Sequence, residues 1–445
     1  MKIKKSITAL IALFMIVIFN TQFVLAKPNN SAPSAPSGLT TANISTSSIT
    51  LKWSSVTGAS GYYVYMATTN DSNYTKIATV TSTSFVKSSL TANTKYWFYV
   101  AAYNRYGTSL NSTHISAVTL QAPTTTTTTT STKKQILGFT TYYYSGDTSS
   151  YNSMTANTSS IDEIATQTYT TDSLGNISGL VPTNQLTYAN SNGIKTYAML
   201  QNNFDGNIAK SVLENQTNRL NLESNLLNAI KANGYKGINV DLEGVFYYDR
   251  SYYTTFVQEL YNKLKPLGYS VTLSVPAKTF DSTTNSWSGA YDYAALASYS
   301  DQIAIMTYDE HYPGGTAGPI ASIGWVENVV KYAVTVIPRE KIMLGVAAYG
   351  YDWSTNGTKA YGINGIYNLA STNKASIMWD DVSKSPYFNY TDASGIAHSV
   401  WFENNQSANY KLDLVNTYNL NGIAIWRLGL ENTDYWTSIK TKLNR

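Results

Sequence analysis

Between Gln135 and Arg445, eight short apolar runs alternate with longer stretches of helical period, and this restricts the fold more than any other feature. The runs are Ile136–Thr141, Glu163–Tyr169, Lys195–Gln201, Gly237–Asp241, Ser270–Val275, Gln302–Met306, Ile342–Val346 and Gly422–Trp426. Between them, Leu213 to Ala232 has apolar residues at Leu213, Leu220, Leu222, Leu226, Leu227 and Ile230, and Tyr252 to Leu267 has them at Phe256, Val257, Leu260 and Leu264. Strands and helices in strict alternation predict a parallel (β/α)8 barrel of TIM type. Tyr351 to Trp401, too long for a loop, predicts a small α+β insertion after strand seven.

The remainder of the chain is organised differently. Residues 121–134, with a run of threonine from Thr124 to Thr130, lack hydrophobic periodicity and read as a linker. Residues 32–120 alternate apolar and polar side chains in short runs, such as Ile49-Leu51-Trp53, broken by Gly58, Gly61, Asn70 and Gly107. That pattern predicts a β-sandwich, so the chain is multidomain. Leu90 before a turn and Tyr96 at the next strand's start fit a tyrosine corner, whose hydroxyl bonds back to nearby backbone. With Pro36, Leu39 and Trp53, the unit resembles a fibronectin type III domain, which implies a spacer or adhesive module. Tyr62, Tyr63 and Tyr65 could stack on sugar rings, but sandwich core or rim is the better reading for most of them.

Residues 1–26 read as an export signal. Lys2, Lys4 and Lys5 precede an apolar run from Ile7 to Ile18, and Ala26 offers a cleavage point. An uncleaved anchor is the competing reading, but the run is short for a span of about 20 residues. Cleavage would remove three lysines and take the formal charge from +4 to +1. The expectation is an extracellular, secreted protein, cell-wall associated or free, with no electrostatic footprint for nucleic acid or membrane. The absence of cysteine excludes disulfides and thiolate chemistry. His114, His311 and His398 are scattered and form no HxxxH or HExxH pattern, so a catalytic zinc site is not expected.

The chemistry concentrates at Lys236-Gly237-Ile238-Asn239-Val240-Asp241-Leu242-Glu243. Alternate strand residues share a face, so Asn239, Asp241 and Glu243 should all point into the barrel, at the end where such enzymes keep their active sites. Two carboxylates this close raise one another's proton affinity, which suits glycosidic cleavage: a proton for the leaving oxygen and negative charge near the anomeric centre. The bland alternative is an exposed acidic strand end. Met306-Thr307-Tyr308-Asp309 closes strand six, with Met306 and Tyr308 on one face, and Trp426 closes strand eight as a flat floor for a sugar ring. Glu310 and His311 could line the groove or simply enter the next helix. Tyr142, Tyr143 and Tyr144 are weaker candidates in a chain with 37 tyrosines.

These motifs, with Gly138-Phe139 and Ile425-Trp426-Arg427, resemble glycoside hydrolase family 18, nearest to its bacterial spore-cortex-lytic and peptidoglycan-active branch. The resemblance implies a retaining, substrate-assisted mechanism with no metal or organic cofactor. Glu243 would be acid then base, Asp241 would hold the substrate's acetamido group, and Tyr308 would bind its carbonyl. Trp426 would support the ring, and Asp309 would contact sugar or hold geometry. Asn239, Met306 and Glu310 join the substrate-binding candidates. Lys236 and Asn239 stand where the family's DxxDxDxE motif has its first two acids. The first loss should touch strand support only; the second should shorten a proton relay to Asp241 while activity survives. The implied partner is a polysaccharide, peptidoglycan or chitin, cut at β-1,4 bonds beside N-acetylglucosamine. A lectin-like barrel and an adhesin are the competing readings, and Glu243 argues against the first.

Overall fold

A computed structural model describes residues 31–119, apart from 43, 45–47, 88–89 and 92, and residues 133–445. The expected signal segment and the threonine run lie outside the described residues. The chain divides into two compact units, Met1–Thr130 and Ser131–Arg445.

The first unit has the expected pair of antiparallel sheets. One joins Thr40–Ala42, Ile49–Lys52 and Ser84–Lys87; the other is built on Gly61–Ala67 and Lys95–Asn104. Leu39, Leu51, Trp53, Tyr62, Val64 and Phe98 form the core. The tyrosine corner is present: the Tyr96 hydroxyl accepts the Thr91 N–H at 2.8 Å. Of the three tyrosines with two readings, Tyr62 is core. Tyr63 and Tyr65 lie on the outer face, stacked on Tyr103 and Tyr99 at 4.4 and 4.5 Å.

In the second unit eight parallel strands close into a barrel. They are Gln135–Thr140, Glu163–Thr171, Lys195–Gln201, Gly237–Asp241, Ser270–Pro276, Gln302–Met306, Ile342–Ala347 and Gly422–Trp426, and the eighth pairs with the first. Period-two alternation sorts their side chains. Inward-pointing Leu137, Phe139, Ala165, Met199, Ala304, Met343 and Ala424 fill the lumen. Outward-pointing Ile238, Val240 and Leu242 pack beneath the helices. Each such aliphatic side chain contributes roughly 1.5–3 kcal/mol by leaving water, which lets the barrel tolerate polar groups at its rim.

The helix expected over Leu213 to Ala232 is two helices, Gly206–Glu214 and Gln216–Asn233. The Asn215 side chain accepts the N–H groups of Thr217 and Asn218, starting a second helix that the apolar spacing alone does not reveal. The insertion after strand seven is a five-stranded antiparallel sheet with the helix Ile363–Thr372 on one face. It begins at Tyr349, slightly earlier than expected, because Tyr349–Ser354 is one of its strands, paired on both sides with Gly357–Gly362 and Ala397–Phe402.

Candidate active site

Strand four ends at Asp241, and the chain continues through Leu242 to Glu243. Gly244 then turns at φ +66°, a conformation that favours glycine. Glu243 is held by its backbone: its N–H donates to Asn202 Oδ1 at 2.8 Å, and Asn202 Nδ2 donates to its carbonyl at 2.8 Å. Asn202, fully buried just beyond strand three, therefore fixes where the Glu243 side chain starts. The Tyr291 hydroxyl adds a bond to the Leu242 carbonyl at 2.8 Å.

Asp241 is 6% exposed, and its Oδ1 has no hydrogen-bond partner. Among the described residues, no cation lies within 4 Å of either carboxylate. Burial pushes Asp241 up to about 7. Burial, followed by the charges of Asp241 and Asp309, pushes Glu243 up to about 9. Glu243 holds its proton more tightly than Asp241, so as pH rises through neutrality Asp241 ionises first and Glu243 remains the proton donor beside it.

Strand six delivers the other groups. Tyr308 is half-buried, and loss of solvent around its hydroxyl, followed by the charges of Asp241, Asp309 and Glu243, raises its phenol well above the ordinary value, so it is a neutral donor. Its ring lies over Gly345 of strand seven, where a β-carbon would come within 2.3 Å of the Ile305 carbonyl and 3.0 Å of the Tyr308 ring. Asp309, at φ +59°, accepts the hydroxyls of Tyr349 at 2.5 Å and Tyr351 at 3.0 Å. Burial raises this carboxyl and the two tyrosines partly restore it. Met306 is half-buried at the strand end, and Trp426 packs its ring 5.4 Å from Phe139.

Two of the expected substrate-binding residues have partners within the protein. Asn239 is fully buried: its Nδ2 donates to Thr272 at 3.1 Å and its Oδ1 accepts from Ser274 at 3.0 Å, so it supports the strand from below the site. Glu310 accepts from the N–H and hydroxyl of Ser322, at the start of the helix Ile323–Val336, at 2.6 and 2.9 Å. Its carboxylate is spent on that loop. His311 likewise bonds the Pro319 carbonyl at 2.9 Å. Lys236 is exposed ahead of strand four, away from the chemistry.

Exposed aromatics crowd the segments that follow the strands' C-terminal ends: Tyr143 and Tyr144, Phe204, Tyr247 and Tyr248, Phe280 and Trp287, and Tyr312. Large apolar side chains left in water around one mouth are platforms for a ligand with flat apolar faces.

The profile of Glycosyl hydrolases family 18 matches residues 183–431, and that of the Fibronectin type III domain matches residues 34–118. The uncharacterized glycosylase YvbX of Bacillus subtilis is 36% identical over 312 residues, 68% of this chain and 91% of the relative. The chain belongs to glycosyl hydrolase family 18. A second relative of this family 18 glycosidase, the cortical fragment-lytic enzyme of Bacillus subtilis, is 31% identical over 247 residues, covering 54% of the chain and 57% of the relative. Among solved structures, a chitinase from Chromobacterium violaceum has a TM-score of 0.65 at 30% identity, covering 70% of this chain and 99% of that one. The spore cortex-lytic enzyme SleL of Bacillus megaterium also scores 0.65, at 25% identity, covering 69% and 74%.

Sequence reasoning missed Asn202, Tyr349 and Tyr351. The tyrosines carried a signal, the period-two Tyr349-Tyr351-Trp353 run beyond strand seven. Asn202 carried none, since its partner lies on another strand.

Proposed function

We propose that this glycosidase is exported and hydrolyses β-1,4 bonds next to N-acetylglucosamine in peptidoglycan, with net retention and with the substrate's own acetamido group as nucleophile. The observation that carries the reading is a carboxyl pair, the buried Asp241 and the half-buried Glu243, with no cation within 4 Å among the described residues and with Tyr308 as a neutral phenol beside it. The acetamido carbonyl attacks the anomeric carbon while Glu243 gives its proton to the departing glycosidic oxygen. Asp241 stabilises the positive charge that gathers on the acetamido nitrogen, and Tyr308 donates to the carbonyl oxygen. Glu243, now ionised, takes a proton from the water that opens the cyclic intermediate. Trp426 supports the ring, and Asp309, tied to Tyr349 and Tyr351, holds the geometry.

Peptidoglycan is preferred to chitin because cortex-lytic proteins recur among the relatives, although a chitinase is among the structural neighbours. Side-by-side digestion of purified peptidoglycan and chitin with reducing-end analysis tests this: new N-acetylglucosamine reducing ends from peptidoglycan are expected. Unchanged release by Glu243→Gln would end the assignment. The second reading, a carbohydrate-binding barrel with little turnover, draws on the neutral Asn239 beside Asp241, and binding without new reducing ends would favour it. Export is tested by N-terminal sequencing of the secreted protein, expected to begin at Lys27.

A further inference from the structure

The second unit is acidic, with 26 Asp and Glu side chains against 22 Lys and Arg between Ser131 and Arg445. The first cation after each of strands three, four and five is tied to an acid. Lys210 bonds Glu214 at 2.6 Å, Arg250 bonds Asp281 at 2.8 Å and Asp292 at 2.9 Å, and Lys278 bonds Asp281 at 2.7 Å. Arg427 is different. It follows Trp426 at the end of strand eight, is half-exposed, and has no carboxylate within 4 Å among the described residues. Its Nη1 donates to the Leu428 carbonyl at 3.3 Å. Glu431, the acid nearest to it along the chain, is spent elsewhere: it accepts from the Ser153 hydroxyl, from the Gly429 N–H at 2.6 Å and from the Trp436 indole at 2.9 Å.

The backbone fixes this guanidinium at the rim of the barrel. The Leu428 N–H donates to the Phe139 carbonyl of strand one at 3.0 Å, and the Trp426 carbonyl accepts the Ala348 N–H just beyond strand seven at 3.0 Å, so both neighbours of strand eight hold the chain on either side of Arg427. The guanidinium lies over the ring of Tyr143, 5.5 Å from its centroid, and that tyrosine is 62% exposed. A cation–π contact steadies a planar fork without consuming its N–H donors. Such a fork matches a carboxylate with two parallel hydrogen bonds. A neutral glycan gives it no partner of opposite charge. An anionic glycan approaching an acidic unit, with Asp241, Glu243 and Asp309 at its centre, is repelled unless a cation meets it.

We propose that Arg427, backed by Tyr143, is a specificity-determining residue: it takes a carboxylate of the peptidoglycan strand whose N-acetylglucosamine unit lies over Trp426. Two carboxylates have the right chemistry. One is the lactyl group of the neighbouring muramic acid where the stem peptide has been removed, and the other belongs to the stem peptide itself. Chitin has neither, so the residue distinguishes the two polymers by charge. The inference rests on the hydrolase reading of the barrel, and the test separates the two.

Turnover is measured on peptide-free and on peptide-bearing peptidoglycan strands of equal length, each as the free acid and after its carboxylates have been amidated. The readout is the ratio of kcat/KM on the acid to kcat/KM on the amide. The wild type should prefer the acid by about tenfold, the size of one charge-assisted hydrogen bond. Arg427→Met should bring the ratio to about one. Arg427→Lys, which keeps the charge and loses the fork, should fall between, and Tyr143→Ala should lower the ratio about threefold. A preference confined to peptide-free strands assigns the lactyl carboxylate, and one confined to peptide-bearing strands assigns the stem peptide. A wild-type ratio near one overturns the proposal. So does a ratio that survives in Arg427→Met while all rates fall together, which would make the residue a support for Trp426. Binding of the same strands is measured by calorimetry in full-length Glu243→Gln, with and without Arg427→Met. Tighter binding of the acid that needs Arg427, in a protein whose wild type cleaves nothing, would keep the proposal and remove the hydrolase reading. Melting curves identify any variant that misfolds, and the lysine and Tyr143 variants then carry the test.

Discussion

The barrel buries carboxylates at both ends of its lumen and treats them in opposite ways. At the N-terminal end Glu163, fully buried, accepts the Tyr197 hydroxyl at 2.9 Å and Gln302 Nε2 at 3.2 Å, with Lys195 at 3.4 Å. Its other oxygen has no partner, so the three donors gathered on Oε1, one of them a lysine, are what distinguish it; at the C-terminal end Asp241 also keeps an oxygen without a partner, and among the described residues neither it nor Glu243 has a cation within 4 Å. A buried charge provided with partners is structural; one left without them holds a proton and can give it away. Residue type therefore says little, and the neighbours decide which acid is chemical. Inward-facing hydrophobics such as Met199, Ala304 and Met343 lie between the two ends and hold them apart.

The contrast breaks most sharply on turnover. Glu243→Gln should lower kcat by about a thousandfold or more, as expected for loss of a positioned general acid, with little change in oligosaccharide affinity by calorimetry. Asp241→Asn should cost about a hundredfold, since it removes charge stabilisation but leaves the proton donor. Glu163→Ala should do the reverse. It should leave kcat within about threefold at 25 °C while unfolding free energy falls by roughly 2–4 kcal/mol in denaturant titrations, from a lost partner for Tyr197 and a new cavity. A Glu163 variant of normal stability and no activity would abolish the distinction between the two ends.

Asn202 sharpens the comparison, because it supplies to the Glu243 backbone the precision that the side chain lacks in partners. Asn202→Ala is expected to lower kcat about tenfold with KM nearly unchanged, since misplacement of an acid by a fraction of an ångström weakens proton transfer more than binding. The pH profile is the readout that plain destabilisation would not move. A mispositioned Glu243 should titrate lower as water reaches it, so the alkaline limb of kcat should shift down.

Much of this was legible in the sequence. Strand four announced itself through alternation, and with it the inward face of Asp241 and Glu243; Tyr308 and Trp426 followed from their places at strand ends. The insertion was legible as a segment too long for a loop. What was not legible depends on pairings across strands. Asn239 and Asp241 share a face, yet one is covered by Thr272 and Ser274 and the other is not, and alternation alone cannot tell a residue in the lumen from one at its mouth. Glu310 reads as a groove residue until Ser322, on the following helix, is seen to take both its oxygens.

Stability against pH offers a smaller effect with a definite sign. Glu243 is raised from an unfolded value near ~4.3 to about 9 in the native state, chiefly by burial. Between those values the native state keeps a proton that the unfolded chain has released. Wild-type stability therefore falls as pH rises through this window, the opposite of a salt-bridged carboxylate. Glu243→Gln has no such proton, so its Tm should exceed that of the wild type by a margin that grows from pH 5 to pH 9. Each kcal/mol corresponds to about 2–4 °C, and an excess of a few degrees is expected by calorimetry. A margin independent of pH would mean that Glu243 is not held neutral by its surroundings.

The mildest test returns to Asn239, the neutral neighbour in the same lumen. Asn239→Asp places a third inward acid two residues before Asp241, where Ser274 can still donate to it but Thr272 loses the amide donor. A like charge raises the proton affinity of the groups it faces, so Asp241 and Glu243 should both hold their protons to higher pH. Glu243 must be protonated to act, and the alkaline limb of kcat/KM should move up by about one pH unit or less, with the maximal rate changed only a few-fold. The sign is what matters, because burial of a new carboxylate could by itself loosen the barrel and admit water, and that would move the limb down. An upward shift with an unaltered melting curve ties the alkaline limit to the charges at this end of the barrel. A downward shift would place that limit in solvent access, and the two ends would then differ in packing before they differ in charge.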